Sequence, residues 1–170
     1  MDGPCKTLRG AIALSSGGLE QEVGATDVER AYREEGGRLY YALLGYTGDA
    51  DVASEAVAEA FARAMNEQRI RELKPWIWRV AFRVASSEMK RRARHEAIVD
   101  REVPGPEPRA LIDALAELSD RQRASIVLHY YGGYSLDEIG QILGLRKGTV
   151  GVHLHRGRER LRELLEVHDG

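Results

Sequence analysis

The sequence predicts an all-α protein: two small helical domains joined by a flexible linker, the second of them a helix-turn-helix. Three observations predict it. Apolar residues recur at three- and four-residue spacing along most of the chain, and no segment alternates as a strand does. Pro104, Gly105, Pro106 and Pro108 interrupt this periodicity, marking 100–110 as a linker between domains at 26–99 and 111–170. Near the C-terminus, Gly140, Gly144 and Val150 stand where two short helices crossing through a tight turn require them.

The first 25 residues carry scattered glycines and serines with little periodicity and read as a flexible tail. Thr26 to Glu29 reads as a capping box that opens the first helix. Its buried stripe is expected at Val28, Tyr32, Leu39 and Leu43, and its end near Gly45–Gly48. Asp49 or Asp51 caps a second helix with an apolar stripe at Val52, Val57, Ala60, Phe61, Ala64 and Met65. A polar stretch, Asn66 to Lys74, precedes Pro75, whose missing N–H suits it to open a third helix. There Ile77, Val80, Ala81, Val84 and Ala85 form the buried stripe, and Arg79, Arg83, Lys90, Arg91, Arg92 and Arg94 the other side.

Beyond the linker, Ser119–Gln122 and Ser135–Glu138 are two further capping boxes. After the first come Ile126, Val127, Tyr130 and Tyr131, with the tyrosines expected in the core, and Gly132–Gly133 breaks that helix. The second box opens a short helix through Leu136, Ile139, Ile142 and Leu143, which Gly144 ends. A turn over Leu145–Gly148 leads into a basic helix from about Gly148 to Leu165.

Composition narrows the functional classes. In 170 residues there is one cysteine, Cys5, so neither a disulfide framework nor a cysteine-rich zinc site is available. No apolar run approaches the roughly 20 residues of a membrane span. Arg9 interrupts the short apolar stretch of Met1–Leu14, a poor signal peptide, so a cytoplasmic protein without membrane insertion is expected. The net charge of −2 hides strong segregation. Asp27–Gln68 has a net charge of −5, Arg69–Arg94 one of +7 and Arg146–Arg162 one of +5. Screening within about 10 Å makes such local balances matter more than the total for binding a polyanion.

The helix-turn-helix is the sharper signal. Gly140 lets the two helices cross closely, Gly144 tolerates a left-handed turn, and Val150 anchors the second helix on the first. That helix then presents Lys147, Gly151, Val152, His153, His155, Arg156 and Arg158, long basic side chains among short ones, suited to a major groove. The competing reading is a helical hairpin with a solvated basic face; the coincidence of glycine spacing, capping box, turn and charge favours DNA. In the first domain, Trp76 and Trp78 open the +7 segment, a placement that suits stacking on unpaired bases. Trp76 is as readily a core residue; Trp78, beside Arg79, is expected to be partly exposed.

At these residues the chain resembles a known family. The segments Asp51–Phe61, Pro75–Ala81, Leu118–Arg123, Tyr134–Ile139 and Gly148 through Leu161 are similar to those of bacterial sigma-70 RNA polymerase sigma factors, of the extracytoplasmic-function (ECF) group. The resemblance covers about residues 28–165 and is most specific in the C-terminal domain. It implies that RNA polymerase core and promoter DNA are partners, with an anti-sigma factor as a further one. It implies a polymerase contact on the second helix at Glu55, Ala58 and Glu59. For melting the −10 element it implies the loop Asn66–Lys74 with Trp76, Trp78, Arg79, Arg83, Lys90 and Arg91. For the −35 element it implies His153, His155 and Arg156 on bases, with Arg146, Lys147, Thr149 and Arg158 nearer phosphates.

Several positions depart from the family pattern. Glu55 and Ala58 stand where an Asp and a Gln are usual, and Arg83 and Ser87 where an Asn and an Asp are usual. Arg146 replaces a capping Ser, and Gly151 and Val152 replace a basic residue and a Ser that would bond to bases. Two other readings therefore stay open: a helix-turn-helix regulator acting without polymerase, and a sigma-like decoy that binds polymerase or an anti-sigma factor without opening DNA. No catalytic site, cofactor or metal site is expected. His153 and His155 point to different sides of one helix, His95, His129 and His168 are scattered, and Ser86–Ser87 has no partnered histidine.

Overall fold

The structure, a computed structural model, describes residues 23–67, 69–95 and 109–168. Nearly all of the expected tail and most of the expected linker lie outside the described residues. The described residues contain helices and turns and no strand.

Three long helices make the N-terminal unit: α1 (Ala25–Thr47), α2 (Ala50–Asn66) and α3 (Leu73–His95). The N-cap of α1 is Gly24 rather than Thr26, and the Asp27 carboxylate accepts the Gly24 N–H at 3.3 Å, so the expected box closes two residues earlier with a different acid. The turn from α1 to α2 is tightly bonded. Thr47 Oγ1 donates back to Leu43 O at 2.8 Å, and Asp49 caps α2 by accepting from Asp51 N and Val52 N at 2.9 and 3.1 Å. The same carboxylate accepts from Arg92 Nη1 at 2.8 Å, which ties the start of α2 to the far half of α3.

The third helix starts at Leu73, so Pro75 sits inside its first turn, where its missing N–H still costs nothing. Of the expected stripes, Tyr32 and Met65 are exposed rather than buried. Both lie at the open edge between α1 and α2, where Tyr32 covers Phe61 edge-on at 5.0 Å. Ile70, within the nominally polar stretch, is buried and closes the end of this core.

The C-terminal unit holds α4 (Arg109–Ala116), α5 (Asp120–Ile126), α6 (Leu136–Leu143) and α7 (Lys147–His168). Residues 109 and 110, expected in the linker, open α4. Both expected capping boxes form, Ser119 with Gln122 and Ser135 with Glu138, each worth about 1 kcal/mol. The fifth helix continues into a π-helical turn over Val127–Tyr131, closed by Gly132 N–H donating to Val127 O at 3.0 Å. That wider turn carries Tyr130 and Tyr131 outward, 58% and 45% exposed, instead of into the core where they were expected.

The two units share one core. A continuous set of buried side chains runs from Val28 through Trp78 and Phe82 to Leu128, Ile139 and Val150. Across this junction α6 packs on α3, while α4, α5 and the π turn pack on α1.

Candidate nucleic-acid interface

The helix-turn-helix has the geometry its glycines predict. At Gly140 a Cβ would stand 2.6 Å from Leu145 O, a distance no side chain tolerates, so this position sets how closely the turn folds over α6. Gly144 has φ +68° and ends α6 in the left-handed region, its N–H donating to Gly140 O. Val150 is fully buried under α6 and fixes the rotation of α7 about its own axis.

That rotation decides which side chains of α7 face outward. Arg146, Lys147, Thr149, His155, Arg156 and Arg158 are exposed, and His153 is half-buried. Val152, in place of a polar residue, is exposed among them. Lys147 Nζ is 2.6 Å from Asp137 Oδ2, so one positive charge is already neutralised by α6. Arg146 supplies the N-cap carbonyl, accepting from Val150 N at 3.1 Å, and no cap from its side chain. His155 Nε2 lies 3.4 Å from Glu159. Burial holds the His153 imidazole below its ordinary pKa, and the charges of Arg121 and Arg156 push it the same way. Neutral at pH 7, His153 has both a hydrogen-bond donor and an acceptor, the combination that reads a base edge. The same effect marks Arg121, on α5, as a further cation beside this face.

The expected strand-opening residues are divided by the structure. Trp76 is half-buried, and Arg79, Arg83, Lys90 and Arg91 are exposed along α3. Arg91 and Arg92 both donate to Glu88, at 2.6 to 2.9 Å, so part of the basic run is bound within its own helix. These bonds, from Arg91 first and then Arg92, pull the Glu88 carboxyl down to about 2. Trp78 is not partly exposed: its exposure is 0%. Its ring stacks on Phe82 at 6.2 Å and meets Tyr134, from the C-terminal unit, edge-on at 5.2 Å. The indole lies between the units, so it faces no nucleic acid in this arrangement.

On α2, Glu55 and Ala58 are exposed and Glu59 is half-buried, its carboxylate 2.6 Å from Arg63 Nε. Glu55, Arg63, Arg83, Ser87 and Arg91 line one shallow groove between α2 and α3, which brings three of the departures from the family pattern, Glu55, Arg83 and Ser87, but not Ala58, onto one surface.

Two residues of the junction escaped the sequence reading. Arg123 is buried and donates to Tyr46 O, Ala116 O and Leu118 O at 2.8 to 3.0 Å. Its phase with Ile126 and Val127 on the apolar stripe was the available signal. Arg38 reaches from α1 to Gly132 O at 2.7 Å and Tyr131 O at 3.3 Å, and nothing local marks it. No helix among the described residues is long and apolar enough to cross a membrane.

Comparison with known proteins bears on this geometry. Residues 109–161 match a family model described as Sigma-70, region 4. Over 154 residues the chain is 33% identical to the ECF RNA polymerase sigma factor SigL of Mycobacterium tuberculosis, a match covering 79% of this chain and 86% of that one. Over 164 residues it is 28% identical to the ECF RNA polymerase sigma factor SigW of Bacillus subtilis, covering 82% and 87%. Its fold is similar to that of the sigma factor RpoE co-crystallised with the anti-sigma factor NepR from Bartonella quintana, with TM-score 0.69, 23% identity, and 84% and 99% of the two chains covered.

Proposed function

We propose a division of labour within a chain that belongs to the ECF group of RNA polymerase sigma factors. The chain directs promoter recognition and transcription initiation. The observation that carries the proposed division is the outward basic face of α7 on a helix-turn-helix, set apart from a second basic helix, α3. Residues 26–99 act as a region 2-like domain and 111–170 as a region 4-like domain, joined through 100–110. His153, His155 and Arg156 read −35 bases, while Arg146, Lys147, Thr149 and Arg158 hold phosphates and set register.

Trp76, Arg79, Arg83, Lys90 and Arg91 take the −10 strand, and Trp78 joins them once the C-terminal unit leaves it. Glu55, Ala58 and Glu59 meet the polymerase core. Unpairing costs a few kcal/mol per flipped base, offset by stacking and by phosphate contacts. Neither DNA surface needs to bind tightly alone, because polymerase holds both and makes the second contact intramolecular. The chain supplies binding energy and no catalysis of its own, acts in the cytoplasm with the polymerase, and has an anti-sigma factor as a further partner.

Run-off transcription from a promoter library, with core polymerase and with or without the chain, tests this reading. Transcripts appearing only with the chain, from templates sharing two spaced elements, are the expected result. Binding to core without transcripts would favour the decoy, and a chain that neither binds core nor initiates would favour a free regulator.

A further inference from the structure

The N-terminal unit leaves an apolar patch uncovered at the end where the described chain begins. Helices α1 and α2 run antiparallel from the turn at Gly48, so the last turns of α2 lie beside the first turns of α1. There Val28 and Tyr32 of α1 and Phe61, Ala62 and Met65 of α2 line an open concavity of about 380 Å³, with Glu29 at its rim. Tyr32 is 57% exposed and Met65 52%, so both large side chains spend much of their apolar surface on solvent. Gly36 shapes the patch: a Cβ there would stand 3.3 Å from the Tyr32 ring, and its absence lets that ring fold back along α1 to meet Phe61.

The chain itself carries a segment suited to this patch. Residues 1–22 lie outside the described residues, and the chain enters the fold at Val23, which packs on the same core as Val28 and Phe61. The part of α1 that borders the patch, from Ala25 to Arg33, is about 12 Å long. From Val23 back to Leu14 the chain can reach up to about 30 Å, more than enough to return over it. Residues 8–14 supply Leu8, Ile12 and Leu14, the aliphatic side chains that an apolar concavity takes. Lys6 and Arg9 beside them complement the net charge of −5 on Asp27–Gln68. A segment tethered this closely acts at an effective concentration in the millimolar range, so a modest contact is populated, whereas a free partner must find the patch at its own concentration.

We propose that residues 8–14 dock on this patch, with Leu8, Ile12 and Leu14 over Tyr32, Phe61 and Met65 and with Lys6 and Arg9 towards Glu29. Docking gives the open edge between α1 and α2 a third layer and withdraws an apolar surface from contact with other proteins. It involves neither DNA nor polymerase, so it stands or falls apart from the sigma-factor reading.

The test uses the full chain, whose one cysteine, Cys5, takes a nitroxide beside the docking segment without any substitution. In isotope-labelled protein, loss of backbone amide signal relative to the reduced label reports which residues lie near Cys5. Residues 28–36 and 61–66 are expected to lose signal while α7 keeps it. Ile12→Asp combined with Leu14→Asp, which alters no described residue, is expected to abolish that loss. Met65→Lys, at an exposed position, is expected to weaken it, with helix content by circular dichroism as the check on folding. The pair in residues 8–14 keeps the test valid if Met65→Lys does not fold. Even loss over both units, loss confined to another surface, or loss that survives Ile12→Asp with Leu14→Asp would overturn the docking. So would loss in a mixture of isotope-labelled chains without nitroxide and unlabelled chains carrying it, because the occupant would then be a second copy.

Discussion

Arg123 of α5 donates a 2.9 Å hydrogen bond from Nη1 to the carbonyl of Tyr46, in the last turn of α1. Carbonyls at a helix end have no partner in their own helix, and one guanidinium serves this one together with the carbonyls of Ala116 and Leu118. Burial lowers the pKa of Arg123 from its ordinary value, yet a guanidinium stays charged at any physiological pH.

Arg123→Met keeps the bulk and leaves these carbonyls unserved. It is expected to lower the unfolding free energy of the full chain by about 3 kcal/mol, read from urea denaturation. Arg123→Lys should recover little of this, because a single ammonium cannot reproduce the fork. A loss below 1 kcal/mol for the Met variant would show that water replaces the guanidinium.

The two helix-turn-helix glycines make different demands, and alanine separates them. Gly140→Ala forces Leu145 O away from a 2.6 Å contact and is expected to cost about 1–3 kcal/mol. Gly144→Ala meets no neighbour within 4 Å but keeps φ at +68°, for about 1–2 kcal/mol. Thermal melts rank both. In addition, Gly140→Ala should weaken −35 binding, since it shifts the turn that positions α7.

Glu88 gives the chain a specific acid sensitivity. Its carboxyl is held near 2 by Arg91 and Arg92, whereas the unfolded chain releases it to about 4.5. The bonded carboxylate therefore stabilises the fold fully above about 4.5, and that contribution is lost as the pH falls from there towards 2. Glu88→Gln should flatten the dependence of stability on pH across that interval, followed by denaturant melts at successive pH values. An unchanged slope would mean that other carboxyls carry it.

On α7, Arg156→Ala is expected to reduce discrimination among −35 sequences by about 1–3 kcal/mol, while Lys147→Ala should weaken all sequences alike. The Lys147 effect is expected to be small, because Asp137 already pairs with that ammonium at 2.6 Å. Binding titrations over a set of −35 variants at two salt concentrations separate the two behaviours.

What could be read in advance follows the range of the forces involved. Asp49, Ser119, Ser135, Gly140 and Gly144 act within a few residues of chain, and each does in the structure what local chemistry requires. Val150 was also legible, since a helix-turn-helix needs an apolar anchor at that spacing. Trp78 was not. Its neighbours Arg38 and Tyr134 are 40 and 56 residues away in the chain, and the basic residue beside it suggested solvent. Tyr130 and Tyr131 fit an α-helical stripe on paper, and the π turn rotates them off it. Tyr32 and Met65 have helical phase as well, but among the described residues no third layer arrives on the open edge between α1 and α2 to cover them.

The π turn also sets how this chain tolerates changes in length. A turn bonded from Gly132 N to Val127 O holds one residue more than an α-helical turn. Deleting a single residue within 127–131 would let the helix close regularly and turn everything beyond it by about 100°. Hydrophobic content would hardly change, and both capping boxes would survive. Yet Gly132 would leave Arg38, Tyr134 would leave Trp78, and the helix-turn-helix would face a new direction relative to α3. At this one place a frame-preserving loss of three nucleotides would turn α7 away from α4 and α5 and break the cluster of Leu115, Leu118, Ile126 and Leu154 that joins them.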